Sequence, residues 1–507
     1  MDGIATHFTW IDWAVVVGYM ALTTWVGHRL RGRQANIRDF FLAGRRLPWP
    51  AVSGSIIATE ISALTFIGVP GMVWAATGNF TYLQWAIGSV VARVLVGLVL
   101  VKRYYEEEIY SPYDYMERRL GVGVKRIATL LFFLGAILGQ SVRLLVPAIV
   151  LRTVTGLDFQ LCLVLIGIFA VGWTWMGGMA TVIWTDVMQF FLFLFGGALA
   201  LVWIVGSLDG GWGALVEAGE AGGKWTLWNL TTDPAVEFTL WVGLLAMPFQ
   251  NLAAFGMDQL NAQRMFCCRN AADASKAIIW SSVSQVVTVL MMVVGVGLYA
   301  FYQQYPPTEA EGALFLQDKD YVFPVWITTV LPVGVSGLVL AGAFAAAISS
   351  MDSILAALAQ TTMSLAGKTE LEPKKALVTS RLLVLGWALI LVLAAMGLDR
   401  LRGDINLIPL AFGMVAYTYG PMLGILFLAL APVRVKLGGI WLGLVVSIGL
   451  TLWVRPDLYH LLVQFEVLSP EQALELRPKV TFAWLYPVTC LITFGCGLLG
   501  ARRREGT

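Results

Sequence analysis

The sequence predicts an all-α polytopic membrane protein with about 13 transmembrane helices. Three observations predict this fold class. Of the 507 residues, 58% are hydrophobic and only 13% are charged, whereas a soluble domain carries about 25% charge. The apolar residues come in runs of about 20, the length that crosses the ~30 Å hydrocarbon core of a bilayer. Lysine and arginine concentrate in alternate loops between these runs.

The apolar windows fall at 11–28, 48–75, 79–101, 126–152, 158–179, 181–207, 235–262, 274–304, 323–365, 377–398, 405–431, 436–454 and 481–500. The first has no basic leader and no small-residue cleavage site, so it reads as a retained helix rather than a signal peptide. The runs 48–75 and 323–365 exceed one crossing and predict interfacial turns or broken helices. Alternate loops carry about 24 basic residues on one side and about 8 on the other. The positive-inside rule then puts the N-terminus outside and the C-terminus in the cytoplasm of a cell (inner) membrane protein. Loops near 208–234, 305–322 and 455–480 are short, so residues 1–507 read as one membrane domain without an appended soluble unit.

Composition also excludes function classes. A net charge of +2 and the lack of a basic tract interleaved with aromatics exclude a nucleic-acid partner. The five cysteines, Cys162, Cys267, Cys268, Cys490 and Cys496, match neither a zinc site nor a disulfide framework. None of His7, His28 and His460 lies in the interior of an apolar run, which argues against an intramembrane enzyme. The sequence shows no pattern for an organic cofactor or an obligate protein partner.

Charges within a bilayer are expensive, so each is a candidate for function. They are Glu60, Arg93, Arg143, Asp186, Asp258 and Asp352. Arg93 reads best as snorkelling or paired. The second span, Ala58-Thr-Glu-Ile-Ser-Ala-Leu-Thr-Phe-Ile-Gly-Val-Pro-Gly71, combines Pro70, Gly68 and Gly71 with the polar cluster Thr59, Glu60, Ser62 and Thr65. An interrupted span exposes carbonyls that bind a cation at mid-membrane depth; an ordinary proline kink would look the same. On the ninth span, Ala346, Ser349, Ser350 and Ser353 share one helix face. Such hydroxyls suit a hard cation, and they equally suit helix contacts. The sixth span opens with Thr185-Asp-Val-Met-Gln189 after Gly177-Gly178, where a cation or a proton relay fits. In the seventh, Asn251 and Gly256 interrupt the helix before Asp258-Gln259 and Gln263-Arg264.

In this order, Gly-Gly…Thr185-Asp186-x-x-Gln189, Asp258-Gln259…Gln263-Arg264 and Ala346-x-x-Ser349-Ser350 resemble the sodium:solute symporter family. That family includes sugar, proline, sialic acid, iodide and vitamin transporters. The resemblance runs from about the second span to the eleventh. It implies a leucine-transporter-type core of five-plus-five inverted repeats, 48–207 and 235–431, the first helix of each being broken. The helix at 11–28 and those within 436–500 are then peripheral. It implies a carrier rather than an enzyme, importing a small organic solute with Na+ as the coupling ion. The implied sodium site uses carbonyls of Ala58, Ile61 and Ala346 and hydroxyls of Ser349 and Ser350. Some relatives add a second sodium at positions matching Asp186, Ser349, Asp352 and Ser353; Asp352 stands where a hydroxyl residue is usual. The implied solute site comprises Glu60, Thr65, Gln84, Arg143, Asn251, Phe255 and Gln285. Leu64, Thr65 and Ala254 depart from the sugar-transporter pattern. This leaves a sugar, carboxylate or zwitterion, with Glu60 and Arg143 expected to be near neighbours. The alternatives are a solute sensor on the same fold, a proton-coupled carrier, or a passive channel.

Overall fold

The computed structural model describes residues 6–30, 42–174, 179–366, 373–401 and 407–503, with the side chains of 173, 346–349, 373, 374, 376, 377, 401 and 503 outside that set. Helices stand at each of the predicted spans. They are α1 (Trp10–Leu30), α2 (Trp49–Glu60), α3 (Val69–Trp74), α4 (Trp85–Leu95), α5 (Val122–Thr155), α6 (Phe159–Thr174), α7 (Met179–Ser207), α8 (Met247–Gly256), α9 (Gln259–Met265), α10 (Ala271–Trp280), α11 (Ser284–Gln304), α12 (Val335–Leu365), α13 (Pro373–Leu401), α14 (Leu407–Leu430), α15 (Leu437–Val454) and α16 (Leu485–Leu498). Eight continuous rods among the described residues are long and apolar enough to cross a bilayer, and the bent unit around α2 and α3 makes a ninth. Shorter apolar helices occupy 159–172, 242–256 and 482–498. The strands Val433–Arg434 and Arg502–Arg503 form a two-residue antiparallel pair.

Both over-long runs are divided, as their lengths require. The run 323–365 holds Val322–Val330 and α12, parted before Gly334, whose φ of +88° suits a residue without a Cβ. In the run 48–75 the interruption falls at Ile61, not at Pro70 as the sequence suggested. The segments on either side of it meet at 55°. Pro70 instead follows a π-helical turn at Leu64–Gly68. That wider turn accommodates a residue that cannot donate to the ladder.

Enclosure separates inner from outer helices. The apolar windows of α5, α12 and α14 are 78%, 93% and 83% buried, against 33% for those of α7, α13 and α15. The outward faces carry large apolar side chains such as Leu389, Leu393, Trp441 and Val445. This is the arrangement that lipid, not water, favours. Small residues bring helices together near the centre. A Cβ at Gly243 would stand 2.3 Å from the carbonyl oxygen of Gln84, and one at Gly88 would stand 2.7 Å from that of Gly243.

Two buried charges tie the periphery to this core. On α1, the Asp12 carboxylate accepts from the amides of Gly334 (2.7 Å) and Gly337 (2.9 Å) and from the Ser336 hydroxyl (2.7 Å). It thereby caps α12 from another helix. In the loop after α7, Lys224 is completely buried. Its ammonium donates to the carbonyls of Ala75 (2.5 Å) and Gly78 (3.1 Å), reaches those of Trp74 and Ala76 at 3.4 Å, and sits 4.2 Å from the centre of the Tyr299 ring. It serves the C-terminal end of α3, where unpaired carbonyls favour a cation.

Candidate functional site

A cavity lies between two broken helices. The first break opens where Ile61 leaves helical geometry at φ −74°, ψ 81°. The Ser62 amide then donates to the Glu60 carbonyl (2.9 Å) rather than four residues back, and the Ser62 hydroxyl accepts from the Leu64 amide at 3.3 Å. The second break separates α8 from α9. Asp258 is extended there; its carboxylate caps α9 through the Leu260 amide (2.9 Å) and accepts from the Tyr419 hydroxyl (2.6 Å). Asn261 spans the gap by donating to the Ala254 carbonyl at 2.9 Å. Polar groups thus replace the hydrogen bonds that each interruption removes.

Six of the seven expected solute residues line this cavity: Glu60, Thr65, Arg143, Asn251, Phe255 and Gln285. Gln84 does not line it. It ends a 3-10 turn, Phe80–Gln84, instead of an α-helical one. Its amide serves backbone, donating to Thr81 and Phe238 and accepting from Asn229. Glu60 pairs with Arg93, not with Arg143. Arg143 donates instead to the Thr59 carbonyl at 3.3 Å, its one hydrogen bond among the described residues. The expected pairing of Arg93 holds: it is fully buried, and its guanidinium lies 4.3 Å from the Phe255 ring centre.

Of the expected sodium ligands, Ala58 and Ile61 are buried at the first break. Ser350 is buried on α12, which packs against α2. The side chains of Ala346 and Ser349 lie outside the described residues, as do Gly177 and Gly178.

The second expected cation region holds a cation of the chain's own. Arg264, counted from sequence with the loop cations, is buried on α9. Its guanidinium donates to the Asp186 carboxylate (3.1 Å), the Ser55 hydroxyl (2.9 Å) and the Leu260 carbonyl (2.6 Å), and also to Ser353. Ser55 donates to Asp186 at 2.5 Å, and Ser353 to Asp352 at 3.0 Å. One oxygen each of Asp186 and Asp352 is buried without a hydrogen-bond partner among the described residues. Sequence reasoning also passed over Asp12 and Lys224. The usable signals were a carboxylate at the very start of the first apolar run, and an arginine flanked by Leu260 and by Met265-Phe-Cys-Cys268.

The comparisons with known proteins agree with this geometry. A profile of the sodium:solute symporter family matches residues 40–446. A sodium/sialic acid symporter of Proteus mirabilis is 28% identical over 452 residues, covering 87% of this chain and 88% of the relative. The human sodium-coupled monocarboxylate transporter 1 is 28% identical over 463 residues, covering 89% and 74%. The solved structure of a Na+-coupled sialic acid symporter in a substrate-bound outward-open state shares this fold, with a TM-score of 0.80 at 24% identity over 98% of this chain and 99% of that one. With a family profile covering most of its length and both helix breaks in place, the chain belongs to the sodium:solute symporter family.

Proposed function

We propose that the protein couples Na+ entry to uptake of a small carboxylate-bearing solute by alternating access. Arg143 carries this reading. It is a guanidinium on a cavity wall with five N–H donors, a single 3.3 Å hydrogen bond and no ion pair among the described residues. A carboxylate matches that fork in two parallel hydrogen bonds. The relatives named for sialic acid and monocarboxylates carry acids, which supports the same class. Sodium takes the carbonyls of Ala58, Ile61 and Ala346 and the hydroxyls of Ser349 and Ser350. The segments 48–207 and 235–431 act as the two repeats that rock around it.

A second ion belongs beside Asp352. Two carboxylates, Asp186 and Asp352, are buried beside Arg264, whose guanidinium pairs with Asp186 and is linked to Asp352 through the Ser353 hydroxyl. Uncompensated charge is not tolerated at such depth. One further positive charge, a sodium ion or a proton, completes the balance through the two unpartnered carboxylate oxygens.

Uptake into proteoliposomes under a sodium gradient tests the main reading, with radiolabelled N-acetylneuraminate and lactate as probes. Arg143→Gln is expected to abolish uptake of any acid that the wild type carries. Ser349→Ala combined with Ser350→Ala is expected to raise the sodium concentration for half-maximal uptake more than about tenfold, equal to ~1.4 kcal/mol. Unchanged solute affinity in Arg143→Gln, with the protein folded, rules out the carboxylate assignment. Unchanged sodium dependence in the double variant rules out the sodium site.

A further inference from the structure

Glu60 lines the cavity with Arg93 paired behind it, and the geometry of this pair says which solutes that wall accepts. Glu60 is the last residue of α2 before the break. A carboxylate at a helix C-terminus faces the negative end of the helix dipole, so Glu60 needs a cation from elsewhere. Arg93 on α4 supplies it. The guanidinium is held from several directions: it donates to Ser284 (3.1 Å) and Ser281 (3.3 Å), pairs with Glu60 Oε2, and lies over the Phe255 ring. Arg93 is fully buried, while the Glu60 side chain keeps 24% of its surface exposed. Arg93 therefore stands behind Glu60, and Glu60 is the member that meets the cavity. Its second oxygen, Oε1, has one long hydrogen-bond contact among the described residues, 3.5 Å from the Gln285 amide nitrogen. That oxygen retains capacity to accept a hydrogen bond.

We propose that Arg93 balances the charge of Glu60, so that the cavity takes a carboxylate bearing hydroxyl or amide N–H donors and disfavours one ending in an ammonium or a plain alkyl chain. The inference rests on the carboxylate reading of Arg143 and adds the chemistry of the solute's other end. A hydroxyl or amide donates to Glu60 Oε1 and leaves the ion pair intact. An alkyl chain strips water from Oε1 and Gln285 without replacing its hydrogen bonds, which is where polar sites discriminate most strongly. An ammonium meets a carboxylate already neutralised, with a guanidinium behind it. Arg93 is a positioning residue in this scheme; Glu60 and Gln285 touch the solute.

The test reads sodium-dependent thermal stabilisation of the purified protein by matched acids: gluconate and N-acetylneuraminate, hexanoate, and 6-aminohexanoate. For the wild type, at least one hydroxylated acid is expected to act at a concentration about tenfold or more below hexanoate. The amino acid should be no better than hexanoate. Arg93→Gln bares Glu60, and 6-aminohexanoate should then gain about tenfold relative to the hydroxylated acids. Glu60→Gln with Arg93→Gln removes both charges and should abolish that gain. Should Arg93→Gln not fold, Glu60→Gln decides: it must shrink the preference for hydroxylated acids over hexanoate. Equal binding of hexanoate and the hydroxylated acids by the wild type overturns the proposal and leaves the Arg143 reading standing, as does an unchanged order in the variants. If no acid of any kind stabilises the protein, the Arg143 reading falls and this inference falls with it.

Discussion

At the scale of the residue, the informative features are charges whose surroundings state their purpose. Lys224 is the sharpest case outside the membrane. Burial pushes its ammonium down to about 8 from an ordinary 10.5, while the surrounding carbonyls and the Tyr299 ring favour the charged form. The sign of the resulting pH dependence is fixed by linkage. Between pH 8 and 10.5 the unfolded chain holds a proton that the folded chain has released, so this residue's contribution to stability rises with pH. Below pH 8 both states are protonated and the cost of burying the charge is present in full. Thermal unfolding of the wild type and of Lys224→Met should therefore diverge in the wild type's favour from pH 8 upwards, by at most ~1.4 kcal/mol per pH unit. A difference that shrinks with pH contradicts the assignment.

At the scale of the element, interruptions matter more than spans. The sequence of 48–75 made a break visible through its length and polar cluster, but it could not locate the break. Pro70 looked decisive because it lacks a donor, yet a π-helical turn accommodates it, and the chain opens at Ile61 where no breaking residue stands. Tertiary partners select that point: Arg93 and Arg143 both reach residues at the end of α2. The second break was better marked, because Gly256 and the capping Asp258 favour it locally. Glu60's partner was not legible, since Arg93 and Arg143 are equivalent in sequence and only the helix arrangement separates them. The Asp12 cap on α12 is another such contact between elements distant in sequence. Asp12→Ala strands the amides of Gly334 and Gly337, and a buried amide without a partner costs ~1–3 kcal/mol. The expected result is a lower unfolding temperature with unchanged affinity for the solute, because Asp12 does not line the cavity. A variant with wild-type stability would show that α1 holds its place by apolar packing alone.

At the scale of the molecule, the fold class was readable because bilayer length and apolar composition are coarse properties that survive errors at individual residues. Solute chemistry was not, because it depends on which of several buried charges remain unsatisfied. The cluster of Asp186, Asp352 and Arg264 carries that logic into energetics. Arg264 is bonded into the chain, so its charge never travels with the cargo. One Na+ with one monocarboxylate moves no net charge, and the membrane voltage contributes nothing to accumulation. The second cation proposed beside Asp352 would change this, since each transported charge gains about 2.3 kcal/mol per 100 mV. An inside-negative diffusion potential is thus expected to accelerate uptake by the wild type and to leave Asp352→Ser unaffected. Voltage-insensitive uptake by both proteins would mean that the charge at Asp352 stays put throughout the cycle. In that view the charge held at position 352 decides whether the carrier is electrogenic.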